Sequence, residues 1–197
     1  MTSHTTTPLP KHVDVVIIGA GAAGLMCGLV ASQRGRNVLI IDHANKVGKK
    51  ILMSGGGRCN FTNIYCEPDN FISHNTNFCK SALSRYTPYD FIALVKKHNI
   101  PHHEKKLGQL FCDNKSKDIL EMLLNECHKS GAKIRTHCNT SRIKHINNSF
   151  EVETSQGHTT CQSLVVATGG LSIPKMGATG FGYQIAQQFR LNVTPTR

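Results

Sequence analysis

Two hydrophobic rhythms alternate along the chain. Val13 to Ile18 is an almost unbroken β-branched run in which Asp14 is the one polar residue, and Val38 to Ile41 is a second apolar run. Short continuous runs of this kind are the pattern of parallel strands buried on both faces. Between them, Gly24 to Arg34 predicts a helix ended around Gly35, so this part of the chain reads as a βαβ unit. Residues 43–63 are rich in Gly, Lys and Asn with little periodicity, which predicts a long loop holding at most a short helix. Helices are expected over Asn77–Arg85 and over Pro88–His98, where Pro88 sits in the first turn. In 116–129, Leu120, Leu123, Leu124 and Cys127 recur at helical spacing, with Ser116 as cap and Gly131 as stop. Strands are expected over 133–138, 142–146, 150–154 and 163–167, the later ones separated by Asn147-Asn148 and Gln156-Gly157 turn chemistry. They form a small β-meander of about 133–162 that returns to the main sheet, and a helix over 183–189 follows.

This order predicts an α/β fold: a Rossmann-like domain with a parallel sheet and a β-meander, spanning 13–197 behind a polar, proline-bearing, disordered arm at 1–12. Composition agrees with a packed chain. Apolar residues make up 39% and charged residues 18% of 197 residues, too rich in core-forming side chains for disorder. The net charge of +11 could serve polyanion binding. The cations fall in short clusters (Lys46, Lys49, Lys50; Lys105, Lys106; Lys115, Lys117) with no basic helix or RNA-binding aromatic run, so no nucleic-acid partner is expected.

The eight cysteines include no Cys-x-x-Cys pair, so no metal site is expected. Met1 to His12 lacks the apolar core of a signal peptide, which points to reduced thiols and a cytoplasmic protein. Val13 to Ala31 is apolar enough to resemble a membrane span and contains a Gly24-to-Gly28 G-x-x-x-G pair. Its glycines interrupt it where strand, turn and helix would meet, so no membrane partner is expected.

The strongest chemical signal is Gly19-Ala20-Gly21-Ala22-Ala23-Gly24, directly after the first strand and opening the first helix. Here Gly19 permits a tight turn, Gly21 lets backbone approach a diphosphate, and Gly24 lets helix pack on strand, while the helix N-terminus presents free N–H groups to the anion. Asp42 ends the second strand, where a carboxylate can accept hydrogen bonds from a ribose diol and repel a 2′-phosphate. An adenine dinucleotide, FAD or NAD, is the implied ligand. A second glycine-rich stretch, Ser54-Gly55-Gly56-Gly57-Arg58-Cys59-Asn60-Phe61-Thr62-Asn63, exposes bare backbone that can approach a planar ring, with donors and acceptors on Arg58, Asn60, Thr62 and Asn63. The third feature is the apolar strand ending in Ala167-Thr168-Gly169-Gly170, and Gly177 to Gly182 precedes the last helix. Cys59 reads either as a redox thiol or as a small buried apolar residue.

Together these residues resemble a bacterial flavoprotein family, the NAD(P)/FAD-dependent oxidoreductases related to the dehydro-bile-acid Δ4,6-reductase and often labelled aminoacetone oxidase-like. The resemblance is carried by Val16 to Gly24, Gly48 to Asn60, Phe61-Thr62-Asn63, Gly108-Gln109-Leu110-Phe111, and Ala167 to Gly170 through Pro174. It implies that Gly19, Gly21, Ala22, Ala23, Gly24 and Asp42 hold the FAD pyrophosphate and adenosine ribose. It also implies that the loop from Lys50 through Ser54, Gly55, Gly56, Gly57, Arg58, Cys59 and Asn60 to Thr62 and Asn63 lies along the flavin, and that Ala167, Thr168, Gly169 and Gly170 close over the cofactor. The chain departs from the family at Asp42, where many members have Glu, at Gln109, commonly basic, and at Phe181, commonly Asp. Members run to about twice this length, so the chain is expected to be the N-terminal half of a larger two-domain flavoprotein.

The resemblance implies an FAD-dependent oxidoreductase, reduced by NAD(P)H, that passes hydride to a small organic substrate. The alternative is a non-catalytic dinucleotide-binding module. No general acid or base is singled out by spacing.

Overall fold

The computed structural model describes residues 8–172 and 177–195. The chain divides into two compact units, one formed by the residues up to Lys49 together with those from Leu123 onward, the other by Lys50–Met122.

In the first unit the expected βαβ opening is present as β1 (His12–Ile18), α1 (Ala22–Gln33) and β2 (Val38–Ile41). Of the arm expected over 1–12, residues 1–7 lie outside the described residues, Leu9 is buried and His12 opens β1. Later come β6 (Lys133–Arg135), β7 (Thr140–Ile146), β8 (Ser149–Thr154), β9 (Gly157–Val166) and α6 (Phe181–Gln188). One six-stranded sheet runs β6-β2-β1-β9-β8-β7. Its β6, β2, β1 and β9 are mutually parallel, whereas β8 and β7 are antiparallel additions, so the sheet is mixed. The β7-β8-β9 meander turns at Asn147-Asn148, both at positive φ (49° and 60°), a conformation asparagine tolerates better than most residues.

Strand periodicity divides the core. Val16, Ile18, Leu39 and Ile41 join Ile143, Val152 and Ile185 in one buried cluster that Phe150, Phe181 and Phe189 close over. Ile17 and Ile40 point the other way, toward α1, where a Cβ on Gly28 would run into the Ile40 side chain. Gly28 is therefore the point where α1 touches the sheet, and the G-x-x-x-G pair serves helix-on-sheet packing. No helix among the described residues is long and apolar enough to cross a membrane.

The second unit holds α2 from Lys50 on (the helix spans Lys49–Met53), β3 (Asn60–Asn63), α3 (Lys80–Arg85), α4 (Pro88–Lys97), β4 (His102–Glu104), β5 (Gln109–Cys112) and the first half of α5 (Ser116–Lys129). Thr87 caps α4 reciprocally with Asp90, which explains why that helix starts at Pro88. β3, β5 and β4 form a three-stranded antiparallel sheet in that order. The sequence pattern missed this sheet because its strands are three or four residues long and include the polar run His102-His103-Glu104. Phe61 on β3 packs against Phe91 of α4 and, edge-on, against His102.

Ile40→Ala removes a fully buried side chain from β2, an interior strand of the large sheet. A urea-unfolding measurement is expected to show a loss of about 2–5 kcal/mol.

Candidate functional site

The three glycines that follow β1 do three different things. Gly19 turns at φ +112°, and a Cβ there would collide with the Ala167 carbonyl at the end of β9. Gly24 lies in the first turn of α1, where a Cβ would collide with the Gly19 carbonyl and touch the Ala167 methyl. Backbone thus fills the floor of the turn. Gly21 is the N-cap of α1, in extended conformation, and a Cβ there would meet nothing within 4 Å.

The first N–H groups of an α-helix have no acceptor inside the helix. Here no side chain caps them and no acidic residue lies in the first turn. Ala22 and Ala23 beside them are exposed. The positive end of α1 is consequently presented with bare amides, the arrangement that holds a diphosphate.

Asp42 follows β2. Its Oδ2 accepts from the Ala20 N–H at 2.7 Å and its Oδ1 from the Ala44 N–H at 2.8 Å. His43 Nδ1 lies 3.5 Å from Oδ1. The carboxylate therefore ties the glycine turn to the end of β2, and the Gly48 N–H adds a second tie to the Ala20 carbonyl. An ionised carboxylate offers about four lone-pair sites, so two are left over by the Ala20 and Ala44 N–H groups. The aspartate that sequence assigns to the sugar also holds the turn in shape, a role that spacing alone did not reveal.

The end of β9 completes this corner. The Ala167 N–H donates to the Ile18 carbonyl at 2.8 Å, continuing the β1–β9 ladder past its last paired residues. A Cβ on Gly182 would lie 2.9 Å from Thr168 Oγ1, and one on Gly170 would lie 3.3 Å from the Tyr183 hydroxyl. Gly169 turns at φ 73°. The first unit thus brings together Gly19, Gly21, Ala22, Ala23, Gly24, Asp42, Ala167, Thr168, Gly169 and Gly170. Gly182, the last glycine of the stretch expected to precede the final helix, lies instead in its first turn and joins them through this contact with Thr168. Pro174, the end of the motif, lies outside the described residues.

The remaining residues singled out in the sequence lie in the second unit. Lys50 is exposed on α2. A turn of 3-10 helix at Ser54–Gly57 follows, with Gly55, Gly56 and Gly57 all at positive φ (59°, 66° and 90°). Gly55 needs this for packing as well, because a Cβ would come within 2.6 Å of the Phe111 ring and 2.8 Å of the Asn60 nitrogen. Gly56 and Gly57 face open space and offer bare backbone. Arg58 is exposed and its carbonyl accepts from the Cys112 N–H at 3.0 Å. Thr62 pairs with Leu110 across the β3–β5 ladder. Asn63 donates to the Leu107 carbonyl at 3.0 Å and accepts from the Tyr65 N–H at 2.8 Å, so its amide fixes the end of β3. With its amide nitrogen turned inward, Asn60 reaches the Leu110 and Thr62 carbonyls at 3.2 and 3.1 Å.

Cys59 is buried at φ 51°, with its N–H donating to the Ser54 carbonyl at 2.9 Å. Burial pushes its thiol up, against a smaller opposing effect of a Ser54 hydrogen bond. Cys112 is pushed up to about 12, chiefly by burial and then by the neighbouring Cys59 and nearby carboxylates. Both are packed neutral thiols rather than nucleophiles.

An HI0933-like protein Rossmann domain matches residues 13–196. The chain belongs to this family. Among relatives of the HI0933-like chain is a ribosomal RNA dihydrouridine synthase of Escherichia coli, 53% identical over 187 residues, 95% of this chain and 47% of that protein. A protein of the same name from Haemophilus influenzae is 49% identical over 193 residues, 96% of this chain and 48% of its own length. The 3-dehydro-bile acid delta(4,6)-reductase of Clostridium scindens is a more distant relative, 24% identical over 182 residues, 91% of this chain and 44% of that protein. The HI0933-like chain thus spans about half the length of the curated relatives it matches. In fold it is similar to the open conformation of a flavocytochrome c3 fumarate reductase, with a TM-score of 0.60 at 18% identity, covering 90% of this chain and 40% of that one. The fold is the Rossmann-like α/β type of FAD-binding domains, with a mixed sheet.

Gly24→Ala in this HI0933-like domain is expected to destabilise by about 1–3 kcal/mol, because its methyl meets a backbone carbonyl. Gly21→Leu should stay within about 0.5 kcal/mol of the parent, because its side chain enters open space. Paired thermal melts check the contrast. The Cys112 thiol contributes stability that is fully present below its ordinary value of 9.0 and is lost as pH rises toward about 12. Urea titrations should show unfolding free energy falling over that window, with a shallower fall in Cys112→Ala. At pH 8 neither Cys59 nor Cys112 should react with a maleimide until the protein is unfolded.

Proposed function

We propose that the chain is the FAD-binding portion of a cytoplasmic flavin-dependent reductase acting on uridine in ribosomal RNA, with NAD(P)H as electron donor. The observation that carries this reading is the glycine turn: an uncapped helix N-terminus over a floor of packed backbone, with the Asp42 carboxylate beside it. The substrate comes from the relatives' names, since identity of 53% and 49% extends over nearly all of this chain. That substrate replaces the small organic molecule expected from the sequence.

The residues divide the work as follows. Gly21, Ala22 and Ala23 present N–H groups and positive helix dipole to the pyrophosphate. Asp42 accepts from the ribose with the lone pairs that Ala20 and Ala44 leave free. Gly56 and Gly57 offer uncrowded backbone for a planar ring, and Arg58 offers a fixed positive charge. When bound, FAD would supply hydride chemistry, with NAD(P)H as the two-electron donor, a carbon–carbon double bond of the substrate as the acceptor, and water as the source of the accompanying proton. The buried thiols of Cys59 and Cys112 take no part.

The chain's share of the relatives' length favours a second reading, a dinucleotide-binding module that retains FAD without turnover by itself. Purification without added cofactor, followed by identification of the released nucleotide, is expected to yield FAD. Gly21→Leu should abolish retention, and unchanged flavin content in that variant overturns the pyrophosphate site. Mass spectrometry of ribosomal RNA from cells lacking the gene should show one uridine two hydrogens lighter than in the parent. An unaltered modification profile overturns the substrate.

A further inference from the structure

The hairpin joining β4 to β5 is built against its own folding preferences. Its tip is closed by the Gln109 N–H donating to the Lys106 carbonyl at 3.0 Å, and its two central residues, Leu107 and Gly108, stand at φ 51° and 75°. That turn favours Asn-Gly, yet the first position holds a leucine whose side chain is 78% exposed. A bulky apolar residue at positive φ and in water is unfavourable on both counts, and such strain collects where a ligand is gripped.

The tip is also held rigidly. The Ile64 N–H donates to the Gly108 carbonyl at 2.9 Å, Asn63 to the Leu107 carbonyl, and the Gly108 N–H to Glu104 Oε1 at 3.0 Å. Tyr65, 63% exposed, lies with its ring edge against Gly108. Lys106 is exposed at the turn, and the Lys105 ammonium stands 5.2 Å from the centre of the Phe111 ring. All the exposed aromatic side chains among the described residues fall between positions 65 and 89 of this same unit.

We propose that Leu107 and Tyr65, flanked by Lys105 and Lys106, form a contact surface for unstacked bases of RNA. The proposal rests on the reading of ribosomal RNA as substrate. Two exposed apolar side chains with lysines adjacent in the same hairpin suit base stacking combined with phosphate contact, and apolar wedges are a recurrent device for parting stacked bases. The net charge of +11 complements a polyanion, whereas an apolar protein partner has no use for the lysines. The Ser54–Gly57 turn leads into one end of β3 and the tip is pinned at the other. Three residue rises, about 10 Å, separate those ends, so a base parted at the tip is near the glycine loop.

The test is fluorescence anisotropy of the full chain with labelled oligouridylate and with protein-free ribosomal RNA, across a salt series. Leu107→Asn keeps the turn, since asparagine favours that conformation, and should weaken binding about tenfold without lowering the melting temperature. Lys106→Gln should reduce the magnitude of the salt slope by about 0.7. If the parent binds and both variants match it in affinity and slope, the contact surface is overturned while the RNA reading stands. If Leu107→Asn changes self-association and leaves RNA binding intact, the patch is a protein interface and the proposal fails. If the parent binds neither RNA, the proposal fails, and an unaltered uridine profile in the gene-deleted cells then removes the RNA reading as well.

Discussion

The first unit is organised around a place where backbone touches backbone. Gly19 and Gly24 approach each other and Ala167 so closely that a single methyl on either glycine has nowhere to go. This contact sets where β1 ends, the angle at which α1 leaves, and how near β9 comes to β1. Because the floor of the turn is packed, the amides above it cannot relax into the protein, and they face outward. The outward presentation of these amides thus follows from a packing constraint. Asp42 reinforces it by fastening the turn to β2 with an ionised side chain, and hydrogen bonds to charged groups are stronger than those between neutral ones.

The second unit repeats the principle with different materials. Its triple-glycine turn is set by one close approach, Gly55 against the Phe111 ring, while Gly56 and Gly57 remain uncrowded. Phe111 belongs to β5, so the same three-stranded sheet supports both that turn and the Leu107 hairpin. The small sheet acts as a spacer with a designed end on each side. Its buried thiols are held neutral by desolvation and serve as packing.

Much of the first unit is legible in the sequence for a physical reason. Val38–Ile41 matches its expected limits because an uninterrupted apolar run is a strong local signal. The helix Ser116–Lys129, which begins in the second unit, matches by its periodicity, although Ser116 lies inside it and donates its hydroxyl to the Leu52 carbonyl instead of capping. β9 is longer than expected, opening at Gly157 rather than near Ser163, since its first half is polar on the face it shows to solvent. β3, β4 and β5 were invisible because their residues owe their conformation to cross-strand partners and not to local pattern. The site shows the same division. The glycine turn announces itself, whereas the double use of Asp42 and the contact of Gly182 with Thr168 depend on the tertiary arrangement. Gly28, which looked like part of a membrane motif, is explained by Ile40 beneath it.

The central strand of the large sheet acquires its two neighbours at very different times. β2 follows β1 after a short helix, but His12 pairs with Thr160, 148 residues further on. At ordinary translation speeds that interval lasts roughly 7–30 s. Throughout it, one flank of β1 displays unsatisfied amides and carbonyls in the nascent polypeptide, a template for mispairing. The smaller sheet lies entirely within that interval and can assemble while the larger one waits, so the order of synthesis leaves the packed floor of the glycine turn, which needs Ala167, among the last parts to be finished.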